Sequence, residues 1–240
     1  SDKVDVTKFF TVDSAAAPTL TITKRTVTLK SADLSKAYDG IALVNGQTPL
    51  AEETGWVTGQ GAVYHFTGSQ LFAGESSNSF TYTLNTNTKD INYNILQTAG
   101  KLKVTQASIA ITITAASRSK AYDGTALTTI DYTRTGALAS NDVLESVVIA
   151  GSQTNAGSSS NTASGAVIRH GTEDVTANYA ITYTAGTLTV TPAAVELTAN
   201  SGTKAYDGTA LLPSGYTITS GAFVTGQGLS AVEISGSQLF

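Results

Sequence analysis

Lys120-Ala121-Tyr122-Asp123-Gly124-Thr125-Ala126-Leu127 decides how this chain is read, because the stretch recurs. The same Lys-Ala-Tyr-Asp-Gly box begins at Lys36 and again at Lys204, so three lysines stand 84 residues apart. Each box reaches a leucine three residues past its glycine, at Leu43, Leu127 and Leu211. A fixed period of this size marks a repeat architecture, in which one supersecondary unit is copied along the chain.

Other landmarks keep step with the box. Gly68-Ser69-Gln70, Gly151-Ser152-Gln153 and Gly236-Ser237-Gln238 follow the three lysines by 31 or 32 residues. Asn92-Tyr93 matches Asn178-Tyr179, and Thr98-Ala99-Gly100-Lys101-Leu102 matches Thr184-Ala185-Gly186-Thr187-Leu188. At the start, Asp5 to Val12 resembles Asp174 to Ile181, and Leu20-Thr21-Ile22-Thr23 resembles Leu188-Thr189-Val190-Thr191. The expected organisation is therefore the tail of a preceding repeat over 1–23, whole repeats over 24–106 and 107–192, and the front of a further repeat over 193–240. A chain of 240 residues without methionine, starting at Ser1, is expected to be cut from something longer.

Within each repeat the hydrophobic period is two. Ile109-Ala110-Ile111-Thr112-Ile113-Thr114 alternates, as do Arg25 to Leu29, Phe80 to Leu84 and Tyr179 to Tyr183. Alternation places one face inward and a threonine face outward, as in half-buried antiparallel strands. Asn-Gly, Asp-Gly, Ala-Gly and Ser-Gly pairs punctuate the runs where turns are needed. The fold class expected is all-β: tandem small β-sandwich repeats of immunoglobulin type, with a grasp-like β domain as the alternative. Helix signal is confined to Ser140-Asn141-Asp142-Val143-Leu144-Glu145, which reads equally as a capped single turn of helix or a plain turn. The repeats meet without a flexible tether, at Thr105-Gln106-Ala107 and at Pro192-Ala193-Ala194.

Composition narrows the function. Charged residues are 13 %, about half the usual ~25 %. The formal charge is −4, so a nucleic-acid partner is not expected. There is no cysteine, which excludes disulfides and thiolate chemistry, and only His65 and His170 supply imidazole. No apolar run approaches the ~20 residues of a spanning helix, so membrane insertion of this segment is not expected.

The box at 120–127, then Gly151-Ser152-Gln153-Thr154-Asn155-Ala156-Gly157, then Asp174 to Thr182 and Gly186 to Thr191, resembles the YDG/MBG-type repeats of bacterial cell-surface adhesins. The resemblance covers nearly the whole chain. It departs at Ile41, which stands where Thr125 does, at the shorter Asp90-Ile91-Asn92-Tyr93 segment, and at Phe9 in the place of Asn178. It implies a secreted, extracellular protein of a bacterial surface or wall, in which these units are stalk repeats. The partners it implies are neighbouring repeats and other copies in a filament.

Candidate chemistry is weighed against packing. Lys and Asp three apart in the box could act as a base and its partner. A turn is the better reading, because Asp-Gly supplies a positive φ and tyrosine packs its ring inward. A sharper idea is an internal Lys–Asn cross-link, Lys36 to Asn92 and Lys120 to Asn178, with Asp39 and Asp123 as the assisting acids. It requires a neutral, desolvated amine and a carboxyl that keeps its proton. Trp56, Tyr64, His65 and Phe66 offer an aromatic patch for a host glycan or protein, the alternative function. The acids Asp142, Glu145, Glu173 and Asp174 lack the spacing of a calcium loop, and Gly59-Gln60-Gly61 lacks the helix a phosphate loop needs. No catalytic residue, metal site or cofactor is expected, and the chain is not read as an enzyme. Residues 193–240 are expected to lack the strands that close a core. They belong either to an arbitrary stretch of a longer array or to a strand exchange with residues 1–23 of another copy.

Overall fold

The structure, a computed structural model, describes Asp5, residues 17–46 and residues 48–239. The match of residues 6–12 to a preceding repeat, Phe9 included, lies outside the described residues. Those described are strands joined by turns and irregular backbone, with very little helix. The first repeat carries β1 (Arg25–Lys30), β2 (Leu34–Ala37), β3 (Leu43–Val44), β4 (Glu52–Thr54), β5 (Ala62–Phe66), β6 (Ser69–Gln70), β7 (Gly74–Asn78), β8 (Phe80–Leu84), β9 (Tyr93–Thr98) and β10 (Gly100–Thr105). The second carries β11 (Ile111–Ala115), β12 (Arg118–Ala121), β13 (Tyr132–Thr135), β14 (Asp142–Ala150), β15 (Gly157–His170), β16 (Glu173–Asp174), β17 (Ile181–Thr184) and β18 (Gly186–Thr191). Beyond these, β19 (Glu196–Ala199) and β20 (Tyr216–Ser220) form an antiparallel pair. Among the described residues helix is limited to 3₁₀ turns at Asp90–Asn92 and Thr176–Asn178.

Two compact units result, and their limits do not follow the repeat limits. One holds Ser1–Ser35, Leu43–Gln70 and Glu75–Lys103; the other holds Lys36–Ala42, Leu71–Gly74 and Val104–Phe240. In the first, β1 lies between β4, antiparallel, and β9, parallel, with Val27 opposite Ile95. Its core gathers Val27, Leu29, Phe80 and Tyr93, with Trp56, Tyr64 and Phe66 packed against them. In the second, β11 lies between β13, antiparallel, and β17, parallel, with Ile113 opposite Tyr183. There β12 runs parallel to β18, which pairs antiparallel with β15, which pairs antiparallel with β14. Burial alternates along β11 and β18 as the sequence alternates, with Ile111, Ile113, Leu188 and Val190 inside.

The pairing corrects one expectation and decides between the two readings of residues 140–145. Alternation was read as antiparallel strands, yet β1 and β11 each pair parallel with a late strand of their repeat. Alternation reports which face is buried and carries no strand direction. Residues 140–145 form no helix. Asn141 turns with φ +66° and β14 starts at Asp142, because β-branched Val143, Val147 and Val148 suit a strand.

The Ala-Gly-x-Leu landmark has a steric cause. A Cβ on Gly100 would collide with the carbonyl oxygens of Ser31 and Ala32, and one on Gly186 with those of Ala115 and Ala116. The corner between the first two strands of each repeat sits directly on this glycine. A buried asparagine pins the same corner: Asn78 Nδ2 donates to Ala32 O at 2.8 Å, and Asn161 Nδ2 donates to Ala116 O at 2.9 Å. Gly100→Ala and Gly186→Ala are each expected to lower stability by about 1–3 kcal/mol in denaturant unfolding, through overpacking against backbone that has little room to shift. Gly228→Ala, where nothing lies within 4 Å, is expected to change it by less than about 0.5 kcal/mol.

Candidate functional site

The three boxes fold alike. The carboxylate of Asp39, Asp123 and Asp207 accepts the backbone N–H two residues on, from Ile41, Thr125 and Thr209, each at 2.9 Å. It also takes the lysine three residues back, at 2.7 Å from Lys36, 2.6 Å from Lys120 and 2.8 Å from Lys204. The glycines follow with φ of +79°, +80° and +80°, a region that glycine enters without a Cβ penalty. Lysine first, then the turn N–H, holds Asp39 and Asp123 below the ordinary carboxylate range and Asp207 at about 2.

What differs is what each box touches. Tyr38 is 3 % exposed. Its hydroxyl donates to Asp142 Oδ2 at 2.9 Å, and the Tyr179 hydroxyl donates to the same oxygen at 2.5 Å. Asp142 Oδ1 lies 2.5 Å from His170 Nδ1. The rings of Tyr38 and Tyr179 meet edge to face with centroids 5.7 Å apart, a favoured aromatic arrangement. Burial first, then the Asp142 carboxyl, raises both tyrosines well above their usual range. A Cβ on Gly40 would strike the Ser140 carbonyl oxygen. Beside the box, Ala73 N–H donates to Asn178 Oδ1 at 2.9 Å, and the Phe72 ring meets the His170 ring edge-on. The first repeat's box and its 71–74 segment are thus seated on the second repeat.

The second box repeats the arrangement one period later. Gln227 Nε2 donates to the Tyr122 hydroxyl at 2.5 Å, and a Cβ on Gly124 would stand 2.6 Å from Val224 Cγ1. In the register of the receiving turn's own hydrogen bond Val224 is the counterpart of Ala139, the neighbour of the Ser140 that Gly40 meets. The receiving turn is also the same: Asp142 N–H donates to Ala139 O at 3.1 Å, and Gln227 N–H to Val224 O at 2.9 Å. The third box has no such neighbour among the described residues. Tyr206 is 75 % exposed, and nothing lies within 4 Å of a Cβ on Gly208.

The other sequence candidates fall elsewhere. Lys36 Nζ lies 2.7 Å from Asp39 Oδ1 and Lys120 Nζ 2.6 Å from Asp123 Oδ1, each within its own box. Asn92 is exposed, while Asn178 is buried against Ala73 and Tyr38. Trp56, Tyr64 and Phe66 form no open platform. They are half-buried, with Trp56 edge-on to Tyr93 at 4.9 Å and Tyr64 and Phe66 against Phe80. Trp56 Nε1 donates to Glu53 Oε1 at 3.1 Å, and the Tyr64 hydroxyl to the same oxygen at 2.6 Å. His65 is exposed on the opposite side of β5. Of the scattered acids, Asp142 is the tyrosine acceptor, Glu145 pairs with Arg169 and Asp174 accepts from Thr176. No cluster of three or more metal-ligating side chains occurs among the described residues.

Sequence reading missed the receiving turn. Its signal was Val57-Thr58-Gly59-Gln60-Gly61, repeated letter for letter as Val224-Thr225-Gly226-Gln227-Gly228. Aligned with these, Asn141-Asp142 stands in the Gly-Gln slot. Tyr38→Phe removes one donor from a buried carboxyl and is expected to cost about 1–3 kcal/mol in urea unfolding. Tyr206→Phe, at an exposed hydroxyl, is expected to change stability by less than about 0.5 kcal/mol; equal effects at the two positions would contradict the assignment.

The chain matches no protein-family model, and comparison with curated proteins and with solved structures gave no match.

Proposed function

We propose that the chain is a run of non-catalytic, tandem immunoglobulin-like β repeats forming the extracellular stalk of a bacterial surface adhesin or surface filament. One observation carries the reading. The box that recurs every 84 residues is also the element that seats one repeat on the next, at Tyr38 with Asp142 and again at Tyr122 with Gln227. A part copied in every unit and used at every junction belongs to load transmission along an array. An active site would not need such copying. The resemblance to adhesin repeats and the low charge of the surface agree with this role. The glycan-binding alternative draws no support from Trp56, whose ring is committed to the core of its own unit.

Single-molecule stretching of the chain between two handles tests the stalk reading. Expected are discrete unfolding events with contour-length gains of about 290 Å less the folded repeat's own end-to-end span, that figure being the extended length of one 84-residue period at ~3.4 Å per residue. Smooth extension at low force without discrete events would overturn it.

A further inference from the structure

Every Asp-Gly pair in this chain lies in a box: Asp39-Gly40, Asp123-Gly124 and Asp207-Gly208. The pair carries a chemical liability, because glycine has no side chain to shield its nitrogen. That nitrogen can attack the aspartate Cγ. The N–Cγ bond forms, the Cγ–OH bond of the protonated acid breaks, and water leaves with the amide proton. Water then reopens the succinimide ring at either carbonyl, giving back aspartate or leaving isoaspartate. The ionised carboxylate has no such leaving group, so only the acid form reacts.

The boxes leave both reactants in the open. The side chains of Asp39, Asp123 and Asp207 are each more than half exposed. Among the described residues no hydrogen bond occupies the N–H of Gly40, Gly124 or Gly208. What restrains the reaction is local. In the second box a single oxygen, Asp123 Oδ1, takes Lys120 Nζ at 2.6 Å, the Thr125 N–H at 2.9 Å and the Thr125 hydroxyl at 2.8 Å. Asp207 Oδ1 takes Lys204 and both Thr209 donors in the same way, and Asp39 Oδ1 takes Lys36 and the Ile41 N–H. The bond from lysine is charge-assisted and the strongest of each set. Donors of this kind favour the ionised carboxyl, which removes the leaving group. They also tie the side chain to residues before and after it, so swinging Cγ onto the glycine nitrogen breaks those bonds.

We infer that the box lysine guards the neighbouring Asp-Gly bond against isomerisation, as a positioning residue that acts through the aspartate. This gives Lys36, Lys120 and Lys204 a task apart from seating, since their hydrogen bonds all stay within their own boxes. The junction is what the guard preserves. Isoaspartate routes the main chain through the side-chain methylene and lengthens it by one atom. At Asp39 that atom enters between Tyr38, which is buried, and Gly40, where even a Cβ would strike the Ser140 carbonyl oxygen. The inference is independent of where the protein acts.

Ageing the folded chain for weeks at mildly acidic pH tests it, with isoaspartate read by isoaspartyl methyltransferase labelling and peptide mapping. In Lys120→Ala, Asp123 is expected to isomerise about tenfold faster, as an acid form about tenfold more populated requires. Its rate should also fall with rising pH from a higher pH than in the unaltered chain, because without the cation the acid form persists further. Asp39 and Asp207 of the same molecule are expected to keep their unaltered rates, which reports that the fold is intact. Lys120→Arg, which keeps the cation, is expected to restore the slow rate. Tyr122→Phe gives up the bond from Gln227 with the lysine in place, and is expected to leave Asp123 unchanged. An unaltered Asp123 rate in Lys120→Ala, a rise shared by all three boxes, no rescue by arginine, or an equal rise in Tyr122→Phe would each overturn the inference.

Discussion

The absence of a side chain at the box glycine is the constraint on which the junctions depend. Glycine is required there for two separate reasons. Its φ near +80° costs a residue with a Cβ about 1 kcal/mol or more, and this holds equally at Gly40, Gly124 and Gly208. At Gly40 and Gly124 the space a Cβ would fill is also taken, by the Ser140 carbonyl and the Val224 side chain. The turn delivers the neighbouring tyrosine into the next repeat, and only a bare backbone lets the two repeats come that close. Full burial of an aromatic such as Tyr38 contributes on the order of 1.5–3 kcal/mol. Its hydroxyl must then find a partner, since an unpaired one would cost as much again.

The two filled junctions solve that requirement differently. At the first, a carboxyl collects two tyrosines and stands against an imidazole, so several donors converge on Asp142. At the second, a neutral amide makes one bond to a half-buried Tyr122. The first is deeper and more polar, and the second shallower and simpler. In each, a second segment assists: Ala73 binds Asn178 at one, and Asn155 and Ala156 border the cavity at the other. This shared use of two separated segments explains why Lys36–Ala42 and Leu71–Gly74 group with Val104–Phe240, and not with the repeat that encodes them.

Much of this was legible in the amino-acid sequence, and what was not has a common cause. Period-two alternation located β1, β8 and β11, because burial on one face is written residue by residue. The Asp-Gly pair marked the box as a turn, since that chemistry is local. Strand direction was invisible, so the parallel pairing of β1 with β9 and of β11 with β17 went unforeseen. The partner of the box tyrosine was invisible too. A repeat shows which residues are copied, while Tyr38 meets Asp142 more than a hundred residues away. Asp142 misled further, because it breaks the Gly-Gln pattern and reads as a stray surface acid. Trp56, unique in the chain, looked like a binding residue. Its ring fills the core beside Tyr93, which only the assembled sheet shows.

Native-state hydrogen exchange at the Thr125 amide tests the central claim most directly. That N–H bonds only to Asp123 of its own turn, yet the turn is held shut by residues a hundred positions on. In Gln227→Ala, the exposed side chain that donates to the Tyr122 hydroxyl is lost. Thr125 is then expected to exchange about tenfold faster, equivalent to roughly 1.4 kcal/mol, while Ile41, in the box seated on Asp142, is unchanged. An unaltered Thr125 exchange rate would contradict the claim that the Tyr-Asp-Gly box fastens each repeat to the next.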